Sequence, residues 1–216
     1  DKFMGDACMS FWFDEGDKQN HEKSMLSILE IQKAIKELND SDPIMKEDPL
    51  KVRMGLNSGD VILCDIGAAK ARVDLTMIGD AVNIAARLET ACSHYFIDNL
   101  VSDSVAKDAR GQFSIRIIDR IKVYGKETPV AVYEIINEVE NTSQEENDLI
   151  KHFEKGFEAY TKGKFSTGLK HFKKSKPLEI DRGYPSTPSD VYISRCKILE
   201  KSSPDDWDGT WTLESK

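Results

Sequence analysis

Hydrophobic and polar positions change period several times along the chain, and each change marks an element. Residues 3–13 hold two short apolar runs around Gly5-Asp6, the pattern of two strands joined by a tight turn. After a polar break at 14–20, Met25, Ile28, Leu29, Ile35 and Leu38 recur at spacings of three or four, with Gln32 in the same register. That spacing predicts an amphipathic helix against a core. Two prolines between 41 and 49 predict a loop. Val52, Met54 and Leu56 alternate with other residues as a half-buried strand does, and 61–66 reads as a second strand. A helix follows over 81–92, with Val82, Ala85, Leu88 and Cys92 as its apolar face, then a short one over 102–109. Residues 113–123 and 129–136 read as a closing antiparallel pair. Strands and helices alternate over about the first 140 residues, which predicts helices layered on a sheet.

The pattern shifts at 138–147, Glu-Val-Glu-Asn-Thr-Ser-Gln-Glu-Glu-Asn, which is acidic and nearly free of large apolar side chains. This predicts a linker between a domain at 1–137 and a helical tail at 148–216. In the tail, Phe153, Gly156, Gly163, Phe165, Gly168 and Phe172 fall at the small and aromatic positions of one tetratricopeptide-like helix-turn-helix unit. A single such unit cannot bury its own face, so it is expected to dock on something. A loop with Pro185 and Pro188 leads to a last helix over 189–201, with Ser189 as the expected N-cap. Trp207, near the end, is expected to pack back.

Composition narrows the functional classes. With 216 residues, 39% hydrophobic, the chain can bury the core of one or two domains. A net charge of −8 and the lack of a basic stripe argue against nucleic acid as a partner. No apolar run approaches the roughly 18 residues of a membrane span, and no signal-peptide pattern is present. The four cysteines, Cys8, Cys64, Cys92 and Cys196, show no metal spacing and read as free thiols of a reducing, cytoplasmic compartment. The chain starts inside a strand pattern without Met, so it is expected to be a piece of a longer polypeptide.

Candidate chemistry lies in two stretches. The first is the opening hairpin, where Asp6 at the turn reads either as an ordinary turn residue or as a metal ligand, and Lys2 as a substrate contact. The second runs from Arg72 to Glu89. There Gly79-Asp80 precedes a helix whose N-terminus Asp80 suits by capping and by charge. Asn83 and Arg87 stand four apart and share a face. An amide and a guanidinium projecting together can hold a ribose and a phosphate, since the guanidinium fork matches phosphate oxygens. From spacing alone, a solvated helix face remains open.

Taken together, four ordered blocks resemble the catalytic domain of class III nucleotide cyclases. They are Lys2-Phe-Met-Gly-Asp-Ala-Cys-Met9, Arg53-Met-Gly-Leu-Asn-Ser-Gly59, Asp74-Leu-Thr-Met-Ile-Gly-Asp-Ala-Val-Asn-Ile-Ala-Ala-Arg-Leu-Glu89 and Val123-Tyr-Gly-Lys-Glu-Thr-Pro-Val-Ala-Val-Tyr-Glu134. The resemblance covers about residues 1–136. It implies an α+β, ferredoxin-like (βαββαβ-type) catalytic domain that lacks its first strand and helix here, followed by the helical tail. It also implies closure of a nucleoside triphosphate to the 3′,5′-cyclic nucleotide, assisted by two Mg²⁺ or Mn²⁺ ions about 4 Å apart.

By that resemblance Asp6 matches one of two metal aspartates, Lys2 and Thr76 match the residues that read the base, Asn83 orients the ribose, and Arg87 stabilises charge on the α-phosphate. The Lys2/Thr76 pair favours ATP over GTP. Because metal ligands and nucleotide contacts come from opposite subunits in this family, their presence in one chain implies a homodimer. Two departures stand out. The other metal aspartate falls upstream of Asp1, so this polypeptide alone is expected to be silent. Tyr124 also replaces a lysine that contacts terminal phosphates; Lys122, Lys126 or Arg72 is a candidate substitute, the two lysines also reading as a solvated strand edge. The leading expectation is an adenylate cyclase. The alternatives are a guanylate cyclase, a non-catalytic cyclase-like dimerisation domain, and an interaction module of tetratricopeptide type.

Overall fold

The structure, a computed structural model, describes residues 2–13, 19–67, 73–109, 111–121, 129–204 and 206–211. Lys2–Met4 (β1) and Ala7–Met9 (β2) form the expected hairpin, with Lys2 opposite Met9. Gly5 takes φ 66° in its turn, a left-handed conformation that favours glycine. Gln19–Ser41 (α1) buries Met25 and Ile28 in a cluster with Val101, Val105, Phe113 and Ile135. Its C-terminal half runs out of cover, and Leu38 is 40% exposed. The expected loop at 41–49 instead contains a short helix, Pro43–Glu47 (α2). Asp42 caps it by accepting from the backbone N–H groups of Ile44 and Met45, and Pro43 occupies a first-turn position where its missing N–H costs nothing.

Met54–Leu56 (β3) lies at one edge of a four-stranded sheet. The others are Asn99–Ser102 (β6), Val130–Glu138 (β8) and Phe113–Ile121 (β7), in the order β3-β6-β8-β7. Between β3 and β6 in sequence come Ile62–Gly67 (β4), Val73–Ile78 (β5) and Asp80–Tyr95 (α3). β3 and β6 are parallel and the remaining pairs antiparallel, so α3 serves as the crossover. The residues at 61–66 do form a strand, but β4 pairs with β5 in a separate two-stranded ribbon. Asp103–Ala109 (α4) is the short helix expected there. The result is the mixed α+β architecture expected from sequence.

The tail begins with Gln144–Thr161 (α5), entered through a capping box in which Ser143 and Glu146 satisfy each other's backbone N–H groups. Phe165–Ser175 (α6) folds back against it. Glycine is required at Gly156, because a Cβ there would lie 2.8 Å from the Phe172 ring. Pro188–Leu199 (α7) is capped by Thr187, whose hydroxyl accepts from the Asp190 N–H, and not by Ser189 as expected. Pro188 occupies the first helical position, so the cap lies two residues before the expected one. Ser189 is instead buried, its hydroxyl donating to Glu179. Trp207 packs back as expected, its indole N–H donating to the Tyr160 carbonyl. Helix α3 and the tail share one core, in which Leu88, Cys92 and Tyr95 meet Phe153, Tyr160, Phe172 and Tyr192.

Candidate active site

Helix α3 has two faces. Leu88, Ala91, Cys92 and Tyr95 are buried, while Asn83 and Arg87, one turn apart, are exposed. The helix starts after Gly79, which makes no side-chain cap bond, so Asp80 is the first helical residue and not the cap. Its carboxylate still faces the positive end of the helix dipole. Three contacts fix the helix against β3. The Arg53 Nε donates to Glu89 Oε1 at 2.7 Å, the Cys92 thiol lies 3.6 Å from the Met54 carbonyl, and Gly55 allows the backbones to touch. That hydrogen bond to Glu89 raises the Arg53 pKa above its usual value, and burial pushes the Cys92 thiol well up, so it stays protonated.

The other expected site residues are distributed as follows. Asp6 sits in the β1–β2 turn and is exposed. Lys2 occupies β1 opposite Met9. Thr76 is buried in β5, opposite Cys64 of β4. Arg72, Lys122, Tyr124 and Lys126 lie outside the described residues. Two clefts flank the start of α3. One, of about 410 Å³, is lined by Phe11, Trp12, His21, Ser58, Met77 and Val82. The other, of about 940 Å³, is lined by Asp60, Asp80, Asp103, Arg120 and Asp208 among others. Neither is lined by Asp6, Asn83 or Arg87. Within one chain the structure thus brings Asn83 and Arg87 together on an outer face, and leaves Asp6 on a separate exposed turn.

The cleft walls contain groups that sequence reasoning missed. His21 at the start of α1 places Nδ1 2.6 Å from Asp108 Oδ2 of α4 and Nε2 2.9 Å from the Ser58 hydroxyl. Ser104 donates to the Ser58 carbonyl at 3.2 Å. These bonds tie α1, α4 and the loop after β3 together, and no sequence spacing announces them. As for metal, no group of three or more His, Cys, Asp or Glu side chains among the described residues is placed to hold an ion. Asp6 is an exposed hard-oxygen donor suited to Mg²⁺ or Mn²⁺, and supplies one ligand of the several such an ion needs.

The sequence model of the adenylate and guanylate cyclase catalytic domain matches residues 2–137. The chain belongs to this family. An adenylate cyclase of Anabaena cylindrica is 32% identical over 142 residues, covering 62% of this chain and 27% of that enzyme. The terminal-differentiation-specific adenylate cyclase of Dictyostelium discoideum is 26% identical over 205 residues, which is 91% of this chain and 9% of that protein, so that similarity continues into the tail. Among solved structures, the adenylyl cyclase CyaB from P. aeruginosa superposes with a TM-score of 0.56 at 28% identity, covering 66% of this chain and 74% of that one. The chain thus spans about a quarter or less of the two relatives named from Anabaena and Dictyostelium.

Proposed function

We propose that this chain is the C-terminal part of an adenylate cyclase catalytic domain, converting ATP to 3′,5′-cyclic AMP and pyrophosphate. The observation that carries the reading is the outer face of α3, where Asn83 and Arg87 stand together in a chain of this family. In the reaction the ribose 3′-hydroxyl loses its proton, its oxygen bonds to the α-phosphorus, and the bond from that phosphorus to the departing pyrophosphate breaks. Asn83 holds the ribose and so fixes the angle of attack. The Arg87 guanidinium stands against the charge growing on the α-phosphate oxygens, a preorganised interaction that strengthens in the transition state. Lys2 and Thr76 read the adenine, and relatives named adenylate cyclases support that choice of base.

Asp6 would hold the divalent cations, together with a carboxylate upstream of Asp1. Such ions, when bound, ease ionisation of the 3′-hydroxyl and neutralise charge on the leaving group. In this reading the site is closed by a second copy of the chain, with Asp6 from one subunit facing Asn83 and Arg87 of the other, and the exposure of these three residues supports it. Exposed apolar side chains on the two hairpins, Phe3 (82% exposed), Ile62 (69%) and Ile78 (51%), are the kind of surface such a dimer covers.

The test is to express the polypeptide with its upstream segment, supply Mn²⁺ and either ATP or GTP, and quantify both cyclic nucleotides. Cyclic AMP is expected, falling by at least about 100-fold in Asp6→Ala and Arg87→Ala. Cyclic GMP instead would overturn the base assignment and leave the family intact. No product from a folded dimer would favour a regulatory, non-catalytic role.

A further inference from the structure

The tail does more than cover the sheet, because its polar contacts converge on one end of the helix that carries Asn83 and Arg87. Tyr95, the last residue of α3, donates its hydroxyl to Asp119 Oδ2 of β7 at 2.6 Å. The same oxygen accepts from Arg195 Nη1 of α7 at 2.7 Å. All three side chains are almost wholly buried. The Arg195 guanidinium is boxed by aromatic rings, 5.0 Å from Tyr192, 5.3 Å from Trp211 and 5.5 Å from Tyr95. Tyr192 also donates to the Ile118 carbonyl beside Asp119, at 2.7 Å.

A second tail segment holds the turn that follows α3. Tyr184 donates to Asp98 Oδ1 at 2.9 Å, and Arg182 Nε lies 3.2 Å from Asp98 Oδ2. Lys51, just before β3, donates to the Gly183 carbonyl at 2.5 Å and sits 4.5 Å from the Tyr184 ring centre. The tail therefore grips both α3 and the strand against which α3 packs. Tyr95 is eight residues beyond Arg87, about 12 Å along a rigid helix axis, so a tilt at one end moves the other.

We infer that the helical tail is a positioning element for the nucleotide site, with Arg195 as its central residue, acting through Asp119 and Tyr95 on the placement of Asn83 and Arg87. The inference rests on the reading of α3 as the nucleotide-binding helix. Arg195 touches no reacting atom. Its Nη1 holds the Asp119 carboxylate, and that carboxylate holds the Tyr95 hydroxyl and the last turn of α3. Removing it leaves Asp119 buried without its cation, and a buried carboxylate so stranded pulls in water or a proton and moves its neighbours.

The experiment uses the polypeptide with its upstream segment and compares Arg195→Met, Arg195→Lys and, as a surface control, Lys197→Ala. Two readouts are taken: amide hydrogen exchange across 80–95, and kcat and KM for the cyclic nucleotide formed. In folded Arg195→Met, exchange over 80–88 is expected to rise about tenfold or more. Its kcat should fall about 10- to 100-fold while KM stays within about threefold, since misplacement of Arg87 weakens the transition state more than the ground state. Arg195→Lys should recover part of both, and Lys197→Ala should match the parent. Unchanged exchange over 80–88 in a folded Arg195→Met overturns the inference. If Arg195→Met does not fold, Tyr95→Phe replaces it; that variant loses only a hydroxyl, is expected to shift both readouts in the same direction by a smaller factor, and overturns the inference if it shifts neither. Absence of any cyclic nucleotide from the parent protein would defeat the functional reading, while the exchange measurement would still decide the clamp.

Discussion

At the scale of single residues, what sets each side chain's behaviour is whether its burial is matched by a partner. Arg195 is buried and matched by Asp119; by contrast, His152 of α5 and His171 of α6 face each other with ring centres 6.1 Å apart, and neither buried Nδ1 has a hydrogen-bond partner. Burial first, then His152, Lys174 and Lys155, lower the His171 pKa from its usual 6.5. The sign follows by linkage. The unfolded chain takes up a proton at His171 at a higher pH than the folded chain does, so stability is lost as pH falls from about 6.5 toward the folded pKa. His171→Gln, which keeps a polar side chain without the titration, is expected to flatten this loss. Urea midpoints measured from about pH 7.5 to about pH 5 should show a shallower decline in the variant than in the parent; parallel declines would refute the assignment to His171.

At the scale of elements, the central event is the seating of α3 on β3. Gly55 permits it: a Cβ there would lie 2.0 Å from the Ala85 carbonyl oxygen and 2.4 Å from the Glu89 nitrogen. Both are backbone atoms of α3 and cannot rotate away, so Gly55→Ala must push helix and strand apart. The expected cost is about 3 kcal/mol or more, at the upper end for overpacking, read as a lower urea midpoint. A change below about 0.5 kcal/mol would show that the approach is looser than described. The sequence made α3 legible because Val82, Ala85, Leu88 and Cys92 recur at helical spacing over about three turns, and with it the pairing of Asn83 and Arg87. The same reasoning exposed α1, α5 and α6. It could not expose β6, where all four residues of Asn99–Ser102 are buried and two are polar, so neither alternation nor an apolar run survives. The Asn99 side chain is satisfied by Ile135 of β8, to whose backbone it both donates and accepts. The partners of Asp119 were hidden for a related reason: Tyr95 and Arg195 are brought to it by tertiary packing from opposite sides of its position in the chain, and no local period encodes that.

At the scale of the whole molecule, the cyclase domain and the tail are joined by charge as well as by aromatic packing. Arg116 of β7 is fully buried, its Nε donating to Glu134 Oε2 of β8 at 2.6 Å. Its Nη2 lies 2.9 Å from Glu179 Oε2 of the tail, an ion pair without the angle of a hydrogen bond. Arg182 of the tail reaches the other Glu134 oxygen. Burial opposes the charge on Arg116, but Glu134 and Glu179 outweigh it and hold the pKa above its ordinary value. Such a network contributes little net stability when intact and a large penalty when broken on one side. Arg116→Met is therefore expected to cost about 3–5 kcal/mol, since it leaves Glu179 buried without this cation and Glu134 compensated by Arg182 from one side. Adding Glu134→Gln and Glu179→Gln should recover part of that loss, because the under-compensated charges are then gone. A triple variant less stable than Arg116→Met would show that the glutamates act through contacts other than this arginine. The same network, with the shared core of Leu88, Tyr95, Phe153 and Tyr192, predicts that domain and tail unfold in one calorimetric transition. Arg116→Met should lower the temperature of that transition without splitting it. Two resolved transitions in the parent protein would show instead that the acidic segment at 138–147 separates units that fold apart.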